Sequence, residues 1–280
     1  MSRFSLKICI FAILACAVAG ASAADSTQVP ERHYEVTLAR DMPLTFFSAF
    51  ASVYGNYLLG NMPVSAPEDM PAREDLLPWD RAIAGRYSEA AGDVSTWFAV
   101  LGAAPVALAG ISWFRGDAAG GDFAAYTLMF AQALALQNGF NLAVRSMKFW
   151  PRPYMYATGG AGADAAAEAT GEAYGSFFSG HASAAFTVAV FTGEWFSEMY
   201  PNSRYRSLVW AGSLSLAGFV GVLRIAAGKH YLTDVVIGSL AGAGISLAVI
   251  ELHKKSVRIG PLSIAGVWGG PGALGLSLTF

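Results

Sequence analysis

The sequence is poor in charge and gives no sign of a broad basic surface. Only 14% of its 280 residues are charged while 54% are hydrophobic, and the formal net charge is −2. A typical soluble domain carries about 25% charged residues, and nucleic-acid binding is normally accompanied by a clustered basic face. The composition therefore gives no support to nucleic acid as a partner and indicates a membrane protein.

Cysteine is nearly absent, and both copies fall in a segment typical of a secretory signal. Cys9 and Cys16 lie within residues 1–23, where a basic start, an apolar run over 8–18 and the small residues 21–23 predict a cleaved signal peptide. Cleavage would leave no cysteine, and therefore no disulfide or thiol chemistry. The alternative is an uncleaved anchor, although the apolar run is short for a bilayer span.

Histidine is also scarce. The chain has 4 histidines, and none of the His, Cys and carboxylate clusters that hold zinc is present. We therefore predict no metal and no other cofactor. Two histidines, His33 and His253, stand apart from any recognisable motif and are predicted to lie at the surface.

Long apolar runs divide the chain into four regions. After the signal, residues 24–94 form an exported region in which 43–62 could lie at the interface, re-enter or cross the membrane. The membrane domain spans 95–253, and a tail occupies 254–280. The five apolar runs of the membrane domain cover 95–114, 123–144, 182–199, 208–223 and 231–252. An all-α integral-membrane bundle with five or six transmembrane helices is predicted.

Two stretches outside the apolar runs have a local character of their own. Residues 156–175 are rich in Ala and Gly and are predicted to be a flexible loop. In the tail, Leu274, Leu276, Leu278 and Phe280 alternate with small or polar residues, which is the period of a strand. Because a Gly-Gly-Pro-Gly stretch precedes them, a short β-hairpin is predicted.

The stretch 221–234 places charged side chains between two apolar runs. Arg224, Lys229, His230 and Asp234 are costly next to a membrane unless they pair or bind something. His230 and Asp234 are four residues apart, so on a helix they share a face. A carboxylate can then hold one imidazole nitrogen and leave the other free to react. The alternative is a buried histidine that a nearby carboxylate merely satisfies.

Two more polar clusters lie beside apolar runs. Arg152 stands between two prolines, so its backbone is stiff and suits a fixed anion contact. Ser179-Gly180 opens a predicted helix, whose free N–H groups form an anion site, and His181 next to it could transfer a proton. Taken singly, the first cluster could be a basic membrane flank, and the second an N-cap serine beside a solvent-facing histidine.

In order and spacing, the three clusters resemble the motifs of the type 2 phosphatidic acid phosphatase superfamily. That family's first motif is Lys or Arg, six residues and Arg-Pro, which matches Arg145 and Arg152-Pro153. The second is Pro-Ser-Gly-His, which matches residues 178–181. The resemblance covers residues 123–252 and predicts the helical core of the family.

The third motif is Ser-Arg, five residues, His, three residues and Asp. It matches Leu223-Arg224, His230 and Asp234. Two departures stand out: Phe178 replaces the proline of the second motif, and Leu223 replaces the serine of the third. Neither position carries the reacting group, so we expect activity to survive.

The resemblance implies a role for each matched residue. His230 would attack phosphorus and form a phosphohistidine, with Asp234 orienting it, and His181 would protonate the leaving oxygen and then activate water. The phosphate oxygens would be bound by the remaining matched groups, Arg145, Arg152, Ser179, Gly180 and Arg224. No metal is required, because positioned positive charge supplies most of what phosphoryl transfer needs.

The resemblance implies a membrane phosphatase acting on a lipid phosphate, such as phosphatidic acid, phosphatidylglycerol phosphate, a polyprenyl diphosphate or lipid A. The alternatives are a soluble periplasmic acid phosphatase of the same superfamily and a non-catalytic membrane scaffold or transporter. The sequence does not indicate an oligomeric state.

Charge decides the predicted orientation. If the signal is cleaved and 43–62 does not cross, all three motifs face the periplasm from the bacterial inner membrane, and Arg115, Arg204, Arg206 and Lys254 face the cytoplasm. If 43–62 crosses, the motifs face the cytoplasm. The periplasm and the outer membrane are the alternative locations.

Overall fold

The structure is a computed structural model that describes residues 33–65, 70–255, 263–270 and 273–279. The predicted signal peptide, residues 1–23, lies outside the described residues. The described residues include nine α-helices and two strands. They are α1 (Leu38–Gly60), α2 (Pro78–Arg81), α3 (Glu89–Trp97), α4 (Ala104–Phe114), α5 (Gly120–Arg145), α6 (Gly160–Ala167), α7 (Gly180–Met199), α8 (Arg206–Ala226), α9 (Leu232–His253), β1 (Ser263–Gly270) and β2 (Ala273–Thr279). Short 3₁₀ turns cover Arg73–Asp75, Phe98–Ala103, Pro153–Tyr156 and Gly171–Tyr174.

Helices α5, α7 and α9 meet at the centre of the bundle. Aromatic rings from α5 and α7 fill the space between them, with Tyr126 4.4 Å from Trp195 between ring centroids. Glycines let α9 approach α7 closely: a Cβ at Gly242 would lie 2.0 Å from the carbonyl oxygen of Ser183. Such small-residue contacts are typical of helix packing in membranes, and they fix α9 against the helix that begins at the second motif.

Helix α1 runs beside α5 in the same direction. Its Thr45 accepts a hydrogen bond from Gln132 at 2.8 Å, and Ser52, further along, accepts one from Asn138 at 2.8 Å. A Cβ at Gly139 would lie 2.7 Å from the Cβ of Ala51, so the two helices touch. At 23 residues, α1 is about 34 Å long, longer than the predicted segment 43–62 and enough to accompany α5 over most of its length.

A polar junction closes the end of the bundle where α9 finishes. Tyr34 forms an isolated antiparallel bridge with Lys254. The prediction that His253 is a surface residue is wrong: it is 0% exposed, and its Nε2 lies 2.5 Å from a carboxylate oxygen of Asp41 on α1. A buried imidazole needs such a partner because burying an unpaired polar group is costly.

Three segments among the described residues are long and apolar enough to cross a membrane: Glu89–Phe114, Arg206–Ala226 and Leu232–His253. Large apolar side chains on the last two are exposed, among them Leu208, Phe219, Val222, Val236, Leu240 and Leu252. Exposed apolar surface on this scale is what lipid covers. The predicted helical membrane bundle is therefore confirmed, while the number of crossings stays a prediction.

Two predictions about irregular stretches can be compared with the structure. The prediction of a flexible loop over 156–175 is wrong in part, because α6 and the turn Gly171–Tyr174 lie within it. In the tail, β1 and β2 pair antiparallel from Ser263 opposite Thr279 to Gly270 opposite Ala273, with one irregularity in register. Phe280 and the residues between the strands are outside the described part of the chain.

Candidate active site

The turn between α8 and α9 presents His230 beside Asp234. The chain turns at Gly228, whose φ is +66° and where a Cβ would lie 1.8 Å from the carbonyl oxygen of Arg86. Any other residue would be strained there and would also collide. His230 follows at 2% exposure, and Asp234 lies in the first turn of α9 at 0% exposure.

The contact between the two side chains is long. Nδ1 of His230 lies 3.4 Å from Oδ2 of Asp234, and this buried nitrogen has no hydrogen-bond partner among the described residues. The separation is at the outer limit of a hydrogen bond. Asp234 is therefore placed to accept a proton from Nδ1 after a small adjustment, with Nε2 on the other side of the ring.

Asp234 itself is held firmly. Oδ1 accepts a hydrogen bond from the indole N–H of Trp150 at 3.1 Å. Oδ2 accepts two, from the hydroxyl of Ser176 at 2.5 Å and from the backbone N–H of Tyr231 at 3.0 Å. These three donors fix the carboxylate and compensate for its burial.

The second motif opens α7 against the same turn. The backbone N–H of Ser179 donates to the carbonyl oxygen of Asp234 at 2.9 Å, and its side chain caps the helix by accepting from the N–H of Ala182 at 3.4 Å. Gly180 leaves no room for a side chain, because a Cβ would lie 2.6 Å from Oδ1 of Asn141. Gly180 and His181 line the site cavity, whereas the fully buried Ser179 lies behind them.

Three arginines from different parts of the chain point to the same region. Arg145 at the end of α5 donates through Nε to the carbonyl oxygen of Gly175 at 3.0 Å, and Arg224 at the end of α8 donates to the hydroxyl of Ser95 at 3.0 Å. The buried Nε atoms of Arg152 and Arg224 have no partner among the described residues. Unpaired buried guanidinium N–H groups are costly, so an anion among them would be stabilised.

One cavity of about 1490 Å³ connects these groups. At its polar end the lining includes Arg145, Arg152, Gly180, His181, Arg224 and His230. Six of the eight predicted site residues thus line one cavity. The other two, Ser179 and Asp234, lie behind the lining residues and hold them in place. Asp234 lies beside the imidazole of His230, and Ser179 caps the helix that carries His181.

The cluster of arginines also acts on the nucleophile candidate. Burial lowers the pKa of His230 well below its ordinary value, and the charges of Arg224, Arg152 and Arg145 lower that pKa further. A neutral imidazole has a free lone pair, so the same charges that would bind a phosphate keep His230 in the form that can attack it.

Several residues at the site were not assigned a role from the sequence. Trp150 and Ser176 hold Asp234, and Asn141 donates to the carbonyl oxygen of Phe178 at 2.6 Å. Lys229 lines the cavity with its ammonium 4.5 Å above the ring of Tyr154, and Glu172 lies 3.8 Å from Arg145. Of these residues, Trp150 has the one sequence signal, because it lies between two residues of the first motif.

The described residues hold no group of three or more His, Cys, Asp or Glu that could bind a metal ion.

The chain is similar to a solved structure and to a protein family. A structure of a transmembrane PAP2 type phosphatidylglycerolphosphate phosphatase from Bacillus subtilis is similar at 17% identity and a TM-score of 0.42, over 76% of this chain and 95% of that one. No curated protein matches the sequence. The family model of the PAP2 superfamily matches residues 124–258, which contain all eight residues predicted for the site. Residues 124–258, which carry His181, His230 and the three arginines, therefore belong to the PAP2 superfamily.

Proposed function

We propose that the protein hydrolyses a phosphomonoester or diphosphate on a lipid through a phosphohistidine, without a metal ion. One observation carries the proposal: two histidines and three arginines, brought from four separate segments, line the polar end of a single cavity. Membership of the PAP2 superfamily supports phosphatase chemistry. The exposed apolar faces of α8 and α9 favour a membrane enzyme over a soluble periplasmic phosphatase.

In the first step, Nε2 of His230 attacks phosphorus and forms an N–P bond while the bond from phosphorus to the lipid oxygen breaks. His181 enters this step as the imidazolium and gives its proton to the leaving oxygen, which makes it neutral for the second step. The proton on Nδ1 of His230 is directed to Asp234, which lies 3.4 Å away. The arginines neutralise the charge on the phosphoryl oxygens, which is the main requirement of this transition state.

In the second step, His181 takes a proton from water, whose oxygen attacks phosphorus as the N–P bond breaks. Inorganic phosphate leaves, and His230 and His181 return to their starting protonation states. Phe178 and Leu223, which replace the family's proline and serine, contribute no group to either step. The carbonyl oxygen of Phe178 is already bound by Asn141.

We propose that the site faces the periplasm from the bacterial inner membrane. The end of the bundle away from the site carries Arg115, Arg204, Arg206 and Lys254, and basic residues favour the cytoplasmic side. Because Tyr34 is paired with Lys254, this orientation also puts Tyr34 on the cytoplasmic side.

That pairing has a consequence for the signal peptide. A chain cleaved after residue 23 would start in the periplasm and reach Tyr34 only if polar residues 24–33 crossed the bilayer, which lipid does not allow. A cleaved signal and a periplasmic site therefore exclude each other in this fold. We propose that residues 1–32 stay on the cytoplasmic side and that α1 crosses beside α5.

The proposal is tested by phosphate release from the four lipid classes, using purified protein in detergent with a metal chelator. Wild type should release phosphate from at least one of them. His33→Ala, far from the site, should keep that activity, whereas His181→Ala should lose most of it. A wild-type protein active only after metal addition would contradict the proposed mechanism.

A further inference from the structure

The cavity that holds the polar site extends far beyond it. Ligand pockets usually measure about 300–1,000 Å³, whereas this cavity measures about 1490 Å³. A phosphate group fills only a small part of such a volume. The remainder must be explained by another part of the substrate or by another molecule.

Helix α8 forms one continuous wall of the cavity. Its lining residues recur every four positions, from Arg224 through Val220, Leu216 and Gly212 to Leu208. At about 1.5 Å per residue, Leu208 lies about 24 Å from Arg224 along the helix. The hydrocarbon core of a bilayer is about 30 Å thick, so one lipid tail occupies about 15 Å.

The opposite wall comes from α7 and follows the same course. Below His181 it presents Ala184, Ala185, Val188 and Ala189, which are small or branched apolar side chains. The amide of Asn141 is already bound to the carbonyl oxygen of Phe178. Two other amides of the lining, Gln137 and Asn138, lie on α5; Asn138 is bound to Ser52, whereas the buried Oε1 of Gln137 has no partner among the described residues. The walls away from the arginines are therefore mainly apolar, with this one amide oxygen left over, and suit hydrocarbon better than a polar headgroup.

We infer that this cavity takes up the hydrocarbon tail of the substrate and that small residues of α8 set the longest tail that fits. The inference rests on the proposed function, because it places the phosphate of the same lipid among Arg145, Arg152 and Arg224. Gly212 and Ser215 line the cavity about 18 Å and 14 Å below Arg224. Because glycerol separates the phosphate from the tail, a tail of about 15 Å ends close to Gly212 and passes Ser215 shortly before its end.

The chain offers a matched control on the same helix. A Cβ at Gly212 or at Gly218 would meet no heavy atom within 4 Å, so the first atom of a larger side chain is not blocked at either position. Gly212 lines the cavity and Gly218 does not. Replacing each by Phe therefore separates filling of the cavity from the general effect of a bulky residue on α8.

The first measurement compares kcat/KM for dioctanoyl and dipalmitoyl phosphatidic acid. Ser215→Phe should lower the value for the dipalmitoyl lipid by about tenfold or more, as expected when a pocket can no longer take several methylenes. The same variant should leave the dioctanoyl value within about twofold, with Gly212→Phe intermediate and Gly218→Phe unchanged. Equal losses on both lipids, or the same loss in Gly218→Phe, would overturn the inference.

The second measurement does not depend on turnover. With Cys9 and Cys16 replaced by Ser and His230 by Ala, Gly212→Cys gives a protein with a single thiol. Dipalmitoyl phosphatidic acid should slow its alkylation by a maleimide, whereas inorganic phosphate and the dioctanoyl lipid should not. Absence of protection overturns the tail site. Protection without any hydrolysis by the wild-type protein supports the tail site and refutes the proposed phosphatase.

Discussion

Trp150 donates its indole N–H to Asp234 at 3.1 Å, and so joins the segment of the first motif to the carboxylate beside His230. Ser176, just before the second motif, donates to the other oxygen of the same carboxylate at 2.5 Å. Asp234 is therefore the point where the three motifs meet. Its position depends on residues that belong to none of the matched motif positions.

This relationship predicts that Ser176 is a positioning residue. Ser176→Ala removes a hydrogen bond to a buried charged group, so kcat should fall by about tenfold, equivalent to about 1.4 kcal/mol of transition-state stabilisation. KM should change little, because the arginines are untouched. Ser176→Thr, which keeps the hydroxyl, should recover much of the rate. A loss confined to KM would contradict the role.

The environment of His230 predicts how stability depends on pH. Burial and the nearby arginines lower the pKa of His230 in the folded protein, while the unfolded chain titrates near 6.5. The unfolded state therefore binds more protons below about pH 6.5, and this site destabilises the fold by up to about 1.4 kcal/mol per pH unit there. Between pH 7.5 and 5.5, the Tm of wild type should fall further than that of His230→Ala. Parallel falls in the two proteins would contradict this.

The buried pair at the far end of the bundle predicts a structural role for His253. Its Nε2 lies 2.5 Å from Asp41, so His253→Ala removes one partner of a buried carboxylate, which keeps Arg40 and the backbone N–H of Thr37, and also leaves a cavity. The expected cost is about 3 kcal/mol, or a fall in Tm of about 6–12 °C for a chain of this size. His33, whose side chain is 32% exposed, provides the comparison: His33→Ala should cost less than half as much.

The pairing of Tyr34 with Lys254 makes the orientation testable with a pair of reporters at two positions. A cytoplasmic reporter fused after residue 255 should be active and a periplasmic one inactive, and the same result is expected for fusions after residue 32. Opposite results at the two positions would contradict the packing of α1 beside α5. A periplasmic result at both would put the site in the cytoplasm.

Much of the site could be predicted because the residues of each motif are close together in sequence. His230 and Asp234 are four residues apart on one turn, and Ser179-Gly180-His181 opens a helix, so each cluster is visible without a structure. The support of Asp234 could not be predicted in this way. Trp150 and Ser176 lie 84 and 58 residues from it in sequence, and no local pattern marks a side chain that donates to a distant carboxylate.

The errors in the fold have a similar origin. His253 follows an apolar run and resembles a surface residue until α1 packs against α9 and supplies Asp41. Helix α1 has an aromatic and interrupted sequence, so hydropathy alone cannot place it. Its contacts with α5, such as Ser52 with Asn138, define its direction, while whether it crosses the membrane stays a prediction.

The most direct test of the central claim is to trap the phosphoenzyme. Wild-type protein mixed briefly with a ³²P-labelled lipid phosphate and quenched in alkali should carry label that is stable to base and labile to acid, as an N–P bond is, and mass spectrometry should place the phosphoryl group on His230. His230→Ala should carry no label and release no phosphate. If His230→Ala releases phosphate at the wild-type rate, or the label is on another residue, His230 is not the nucleophile.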